Sequence, residues 1–184
     1  MPTPRPLAEF IDAMNAILEE GADEAHVVAG AREAMRRLVA QDDWLPEEMA
    51  QPHPAYYRQY LLYCDPGERF CVVSFVWGPG QETPVHDHTV WGVIGMLRGG
   101  ETCAPYRAGP GRIVPAGEPV RLRPGDVDAV SPTLGDIHRV ANAYDDRVSI
   151  SIHAYGADIG KVRRHVFDVE TGVVKEFVSG YADA

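Results

Sequence analysis

The sequence has little of what marks several large classes of protein. Its 17 lysine and arginine residues are outnumbered by 27 aspartate and glutamate residues, which gives a formal net charge of −10 at pH 7. Because phosphate backbones are bound by clustered basic side chains, this balance argues against a nucleic-acid partner. No apolar run approaches the roughly 18 residues of a membrane-spanning helix, so we expect no membrane partner either.

Cysteine is also scarce. Cys64, Cys71 and Cys103 are the three cysteines of the chain, and none belongs to a C-x-x-C pair. The odd number argues against a disulfide framework, and the spacing argues against a zinc knuckle. The N-terminal stretch MPTPRPLAEF lacks the apolar core of a signal peptide. Together these absences predict a cytoplasmic protein with reduced thiols.

What is present is typical of a globular protein. Hydrophobic residues make up 45% of the chain and charged residues 24%, a balance that disordered chains do not have. A length of 184 residues suits one domain with a buried core. We therefore expect a single domain over residues 1–184, with helices in 1–54, a β-barrel in 55–170 and a C-terminal tail in 171–184.

The N-terminal part carries helical patterns. Residues 7–18, LAEFIDAMNAIL, place apolar side chains at helical spacing and predict an amphipathic helix. Residues 23–41 predict a second helix, for which Asp23 is a suitable N-cap. Residues 45–51 predict a third, short helix.

The pattern changes after about residue 55. Strand-like runs such as QYLLYC, RFCVVSFVWG and RVSISIHAYG are separated by turn sequences such as DPGE and RPGD. Many short strands in succession are typical of an all-β sandwich or barrel. The predicted fold class is therefore mainly β, with N-terminal α-helices.

Three histidines are candidate metal ligands. His86 and His88 are two residues apart, so in a strand they would share one face, about 7 Å from each other. His138 follows a turn and begins another predicted strand. Three imidazoles on one ion leave coordination positions for a substrate, as a catalytic site requires. The alternative interpretation of the H-x-H pair is two solvent-facing histidines on a polar strand.

A second pattern lies in the run RVSISIHAYG. Ser151, His153 and Tyr155 alternate along it and share one strand face, whereas residues 150, 152 and 154 take the other face and should pack into apolar surroundings. A hydroxyl, an imidazole and a phenol in sequence can form a hydrogen-bonded relay. An ordinary half-exposed strand would explain the same residues.

These patterns resemble motifs of the cupin family. Residues 80–99 match the first cupin motif, in which a glycine, an H-x-H pair, a glutamate and a glycine follow at fixed spacing, except that Gly92 stands where the glutamate belongs. Residues 125–142 resemble the second motif, with His138 as its histidine. A cupin with three histidines, no glutamate and an S-x-H-x-Y strand resembles the thiol dioxygenases of the cysteine dioxygenase type. The resemblance covers roughly residues 55–170.

The resemblance implies a fold, a cofactor and a reaction. The fold is the cupin double-stranded β-helix, or jelly roll, and the cofactor is one Fe(II) per chain held by His86, His88 and His138. The reaction adds both atoms of O₂ to the sulfur of a small thiol carboxylate and gives a sulfinate. Because the three ligands are neutral, the ion keeps its charge and favours a bound thiolate.

The resemblance also implies roles for the alternating strand. Tyr155 would donate a hydrogen bond near the O₂ or the substrate, oriented by His153 and in turn by Ser151. Mammalian-type members carry a cysteine after the H-x-H pair that is crosslinked to this tyrosine. Gly92 or Val93 stands at that place here. We therefore expect an unmodified Tyr155, as in bacterial members.

Substrate-binding residues are predicted from the same resemblance, because a guanidinium is the natural partner of a substrate carboxylate. Arg58 and Gln59 lie where the family has a substrate-recognising residue. Arg58 would make the site the arginine type that takes cysteine. Gln59 would make it the glutamine type, which favours 3-mercaptopropionate and takes its arginine from the C-terminal tract, where Arg164 is preferred over Arg163. The sequence favours 3-mercaptopropionate, with cysteine next.

Several alternatives stay open. Arg58 and Arg164 together would suit a dicarboxylic thiol such as mercaptosuccinate. The three histidines would equally suit an O₂-independent zinc or manganese cupin enzyme. Two further hypotheses are a non-catalytic binding protein and an enzyme that acts on N-terminal cysteines of other proteins. Monomeric and homo-oligomeric states are equally compatible with the sequence.

Overall fold

The computed structural model describes residues 2–21 and 23–183. Two α-helices precede twelve β-strands, which form one sheet of five strands and one of seven. This architecture confirms the predicted mainly β cupin fold with N-terminal helices. In the described ranges, no helix has both the length and the apolar character needed to cross a membrane.

The two helices lie close to their predicted bounds. Helix α1 spans Arg5–Glu19 and helix α2 spans Glu24–Leu38. Asp23 caps α2 as predicted, because its carboxylate accepts a hydrogen bond of 2.9 Å from the backbone N–H of His26. The third, short helix predicted over 45–51 is present as a 3₁₀ helix rather than an α-helix. A single 3₁₀ turn over Glu47–Ala50 stands there, since the chain is extended on both sides of it.

The five-stranded sheet has the order β1-β2-β10-β4-β8, and all of its pairs are antiparallel. Its central strand, β10, therefore has hydrogen-bonded neighbours on both sides. The strands are β1 (Arg58–Cys64), β2 (Cys71–Trp77), β4 (Gly92–Arg98), β8 (Val127–Val130) and β10 (Ser149–Tyr155).

The seven-stranded sheet has the order β12-β11-β3-β9-β5-β6, and β7 pairs with β5. Strand β12 falls within the C-terminal segment 171–184 and pairs with β11. The strands are β3 (Val85–His86), β5 (Glu101–Gly109), β6 (Arg112–Pro115), β7 (Val120–Leu122), β9 (Ile137–Asn142), β11 (Arg164–Phe167) and β12 (Val174–Phe177).

Strand β10 separates the apolar core from the polar interior. Ile150, Ile152 and Ala154 belong to the main hydrophobic cluster, which includes the buried faces of both helices. The alternate residues point to the opposite side of the sheet, as the two-residue period of a strand requires. Every residue of β10 is buried, so this strand is not half-exposed. The sequence prediction for its apolar face is confirmed.

Candidate active site

Three buried histidines converge between the sheets. Strands β3 and β9 pair so that His86 lies opposite His138, and His88 follows two residues after His86. The ring centroids of the three pairs are 4.8 to 4.9 Å apart, and one candidate ligand atom from each lies within 4.8 Å of the others. The expectation that both members of the H-x-H pair lie on one strand is wrong, because β3 ends at His86.

His88 lies after the end of β3, and hydrogen bonds to Asp136 hold it at the site instead. The Asp136 carboxylate accepts the backbone N–H of His88 at 3.0 Å and that of Thr89 at 2.8 Å, and it lies 3.0 Å from the Nδ1 of His88. Nδ1 of His86 lies 3.0 Å from the carbonyl oxygen of Pro84. These oxygens only accept hydrogen bonds, so both Nδ1 atoms carry the proton. Both Nε2 atoms are then free for a metal ion.

His138, the third candidate ligand, contacts the sulfur atom of a cysteine. Nδ1 of His138 lies 3.1 Å from the Sγ of Cys103. Burial, with the neighbouring histidines, lowers the pKa of His138 well below its ordinary value, and burial raises the pKa of the Cys103 thiol to about 12. Burial also lowers the pKa of His86 to about 3. Neutral imidazoles are the form that binds a metal ion, and three of them fit a divalent metal such as Fe(II) or Zn(II).

The Tyr155 ring packs against Gly92, the residue that stands where the cupin motif has its glutamate. A Cβ atom on Gly92 would lie 2.9 Å from Cδ1 and Cε1 of the Tyr155 ring and 3.1 Å from a methyl group of Val130. These separations are shorter than van der Waals contact. A glutamate at residue 92 would therefore collide with the tyrosine, which explains in steric terms why the ligand set has three histidines and no carboxylate.

A continuous hydrogen-bonded relay runs along β10. The indole Nε1–H of Trp77 donates to Ser151 Oγ at 3.1 Å, Ser151 Oγ lies 2.8 Å from His153 Nε2, and His153 Nδ1 lies 2.8 Å from Tyr155 Oη. Burial lowers the pKa of His153 and raises that of Tyr155, so the imidazole stays neutral and the phenol keeps its proton. The Tyr155 ring stacks on that of His88 at 5.6 Å, which places the end of the relay beside the three histidines.

A cavity of about 240 Å³ lies beside these groups. The three histidines and Tyr155 line it together with Arg164, while Phe75, Val140, Val166 and Phe177 give it apolar walls. No aspartate or glutamate lines it among the described residues. Such a site combines three candidate metal ligands, a phenol and a cation in largely apolar surroundings, where charges interact strongly.

The predicted substrate-binding residues separate into two groups. Gln59 and Arg164 are buried and line this cavity. Arg58 lines an outer cleft instead, where its guanidinium donates to Tyr60 Oη at 3.0 Å. The neighbouring Arg163 is exposed and pairs with Glu176 at 3.0 Å.

Comparison with known proteins identifies the family. A family model described as cysteine dioxygenase type I matches residues 3–168 of the chain. The chain belongs to the cysteine dioxygenase type I family. Its enzymes are metal-dependent thiol dioxygenases, oxidoreductases that add O₂ to sulfur, so this membership confirms the family predicted from the histidine and S-x-H-x-Y motifs.

Solved structures of similar fold share little sequence with the chain. A protein with a double-stranded β-helix domain from Klebsiella pneumoniae is 15% identical, with a TM-score of 0.48 over 71% of this chain and 91% of that one. A cupin superfamily protein from Desulfitobacterium hafniense is 15% identical, with a TM-score of 0.48 over 64% and 94%. The TT1209 protein from Thermus thermophilus is 17% identical, with a TM-score of 0.49 over 64% and 98%.

Sequence reasoning missed the residues that support this dioxygenase site. Asp136 lies two residues before His138, and its acidic side chain was a signal for a partner of a metal ligand. Asp87, between two of the candidate ligands, has a different partner. Its carboxylate accepts the backbone N–H of His165 at 2.7 Å and lies 2.8 Å from Nδ1 of that histidine, which is half-buried. Cys103 gave no such signal, because its sulfur reaches His138 only through strand pairing.

A buried carboxyl group lies behind the relay. Glu101 is 1% exposed, and its Oε2 has no hydrogen-bond partner among the described residues. Burial raises the pKa of Glu101 to about 7, against a smaller opposing effect of the Ser151 hydroxyl. With a pKa of about 7 this carboxyl group is partly protonated near neutral pH, beside Ser151 at the end of the relay opposite to Tyr155.

We predict that Asp136 supports metal binding. Replacing it with alanine removes the acceptor that orients His88, so the affinity for Zn(II) or Fe(II) should fall by about 10- to 100-fold in a chelator competition titration. Asp136→Asn keeps an acceptor oxygen and should lose much less. Equal affinity of the alanine variant and the unmodified protein would contradict this role.

We predict that Gly92→Ala destabilises the protein. Its added Cβ atom must displace the Tyr155 ring, and overpacking of this kind costs about 1–3 kcal/mol of unfolding free energy, measurable by urea denaturation. Gly117→Ala is the matched control, because an added Cβ there has its nearest neighbour, on Pro105, at 3.6 Å. A Gly92→Ala variant as stable as the Gly117→Ala control would show that the tyrosine moves without cost.

We predict a pH-dependent penalty from Glu101. Its pKa rises from an ordinary 4.5 to about 7 on folding, so the folded state binds more protons between these values and stability falls as the pH rises through that window. At about 1.4 kcal/mol per pKa unit, the full penalty is about 3 kcal/mol.

Glu101→Gln removes the penalty. Urea unfolding should show a larger gain in stability for this variant at pH 8 than at pH 5, relative to the unmodified protein. Glu118→Gln, at an exposed glutamate, should show no such difference. An equal effect of Glu101→Gln at both pH values would mean that the buried carboxyl does not titrate in this range.

Proposed function

We propose that the chain is a non-haem Fe(II) thiol dioxygenase that converts a small thiol carboxylate to its sulfinate, with 3-mercaptopropionate as the favoured substrate and cysteine next. The observation that carries the proposal is a buried guanidinium, that of Arg164, which lines the same cavity as the three histidines and has no carboxylate partner among the described residues. The metal site accounts for the thiol, and the guanidinium accounts for the carboxylate.

Arg164 is the group that requires an anion. It is 3% exposed, its Nε has no hydrogen-bond partner among the described residues, and its Nη2 donates to the neutral hydroxyl of Ser179. Its guanidinium carbon lies 4.7 Å from the centroid of the Phe177 ring, an additional favourable contact for a cation. A buried charge without a counterion is costly. A substrate carboxylate at Arg164 would supply the counterion.

Each residue of the site has its own role in the proposed reaction. Fe(II), when bound by the three histidines, supplies the redox chemistry with O₂ that zinc does not have. Arg164 binds and orients the carboxylate, so that the thiol group reaches toward the histidines. Tyr155 holds a proton on its Oη beside the metal site, and His153 orients the phenol. The apolar walls exclude water from the reacting thiolate.

The cavity supports 3-mercaptopropionate over the other thiols. The ammonium group of cysteine would find no aspartate or glutamate along the described lining. The second carboxylate of mercaptosuccinate would need Arg58, which lies in the outer cleft. The volume of about 240 Å³ lies below the roughly 300–1,000 Å³ of pockets for drug-sized ligands, which suits a small molecule rather than a protein N-terminus.

An O₂-independent zinc enzyme is the second candidate, because three neutral imidazoles fit zinc as well as iron. We also propose a cytoplasmic location, which the three free cysteines support.

The first test is O₂ uptake by the iron-loaded protein with 3-mercaptopropionate, cysteine and mercaptosuccinate in parallel, with products weighed by mass spectrometry. We expect a gain of two oxygen atoms, fastest with 3-mercaptopropionate. A preference for mercaptosuccinate would replace the proposed substrate. If no O₂ is consumed with any thiol at full iron occupancy, the dioxygenase proposal is refuted and the zinc enzyme is favoured.

We predict that Arg164 carries most of the affinity for the carboxylate. Removing one partner of a buried charged pair costs about 2 kcal/mol or more, so Arg164→Gln should raise KM for 3-mercaptopropionate at least about thirtyfold. Arg163→Gln is the matched control, since this neighbouring guanidinium is exposed and already paired. An equal change of KM in both variants would assign the carboxylate to another group.

A further inference from the structure

The C-terminal segment 178–183 lies beyond the residues matched by the family model; residues 179–183 line the outer cleft, and Ser179 also lines the inner cavity. Three contacts hold it in place. The backbone N–H of Gly180 donates to the carbonyl of Gly160 at 3.0 Å, and that of Ala182 donates to the carbonyl of Gln59 at 2.8 Å. The Tyr181 hydroxyl donates to the carboxylate of Asp158. The segment is therefore part of the cavity wall.

Ser179 is the residue of this segment that meets the predicted carboxylate site. Its Oγ accepts a hydrogen bond from Arg164 Nη2 at 2.7 Å and one from Gln59 Nε2 at 3.2 Å. A serine oxygen has two acceptor lone pairs and one proton to donate. Both lone pairs are occupied, and no described residue accepts the proton. The hydroxyl therefore keeps a free donor directed away from both partners.

Gln59 has no comparable donor to offer. Its amide nitrogen carries two hydrogens, and the second is donated to the carbonyl of Gly180 at 3.0 Å. That carbonyl can only accept, which fixes the orientation of the amide. With both hydrogens used, Gln59 acts on a carboxylate through Ser179 rather than directly.

Ser179 also lies where the outer cleft meets the inner cavity. It lines both the inner cavity and the outer cleft of about 600 Å³, and it is exposed toward that cleft. A thiol whose sulfur points toward the histidines would place its carboxylate at the Arg164 guanidinium, where Nε has no partner among the described residues and where the Ser179 hydroxyl also lies.

We propose that Ser179 is a specificity-determining residue, whose hydroxyl donates a hydrogen bond to the carboxylate held by Arg164 and is itself positioned by Gln59. The C-terminal segment would then select thiols that carry a carboxylate against thiols that do not. The inference rests on the proposed function in taking a thiol carboxylate as the ligand, but it does not require turnover.

The test is calorimetric binding to the zinc-loaded protein, in which no oxidation takes place. Ser179→Ala removes the hydroxyl, and Ser179→Thr keeps it as the matched control. Each variant is titrated with 3-mercaptopropionate and with 2-mercaptoethanol, a thiol of similar size without a carboxylate. Loss of one charge-assisted hydrogen bond should weaken binding of 3-mercaptopropionate about tenfold in Ser179→Ala. Ser179→Thr should stay within about threefold, and 2-mercaptoethanol should bind all three proteins alike.

Two results would overturn the inference. One is unchanged binding of 3-mercaptopropionate by Ser179→Ala, and the other is an equal loss of both thiols, which would indicate a displaced segment. O₂ uptake by the iron-loaded unmodified protein is measured separately. A protein that binds the carboxylate through Ser179 and consumes no O₂ would refute the dioxygenase while leaving Ser179 as a binding residue.

Discussion

The site depends on the alternation of side chains along β10 at the centre of the five-stranded sheet. One face of this strand carries Ile150 and Ile152 into the core beneath the helices, and the other carries the relay into the cavity. Because successive side chains of a strand point to opposite faces, a shift of one residue in the pairing of β10 with β2 and β4 would exchange the two faces completely. The stability of the core and the geometry of the relay therefore depend on the same register.

The polar interior is built almost entirely from neutral groups. Burial keeps His86, His138 and His153 unprotonated and keeps the Tyr155 hydroxyl protonated. Arg164 is then the one side chain with a formal charge among the described residues that line the cavity. A ligand that presents an anion to this arginine and a thiolate to a divalent metal would balance the charge at both ends, whereas an uncharged thiol would satisfy only the metal.

The sequence predicted what depends on local spacing. The two-residue period of β10 placed Ser151, His153 and Tyr155 on one face, and the motif spacing selected the three histidines that converge. What it did not predict depends on long-range contacts. His88 is held by hydrogen bonds to Asp136, 48 residues away, and not by the strand that was expected. Ser179 accepts a hydrogen bond from Gln59, which lies 120 residues earlier in the chain. No local pattern specifies such contacts, because each is created only when distant strands pair.

The absence of a glutamate at residue 92 and the position of the Tyr155 ring are linked by sterics. The ring of Tyr155 lies so close to Gly92 that even a single added carbon would contact it at 2.9 Å. A glutamate side chain from residue 92 and a tyrosine at the end of β10 cannot occupy the same volume. With this backbone, a side chain at residue 92 and the Tyr155 ring therefore compete for the same space. Glycine at this position leaves the space to the Tyr155 phenol, which lines the same cavity as the three histidines.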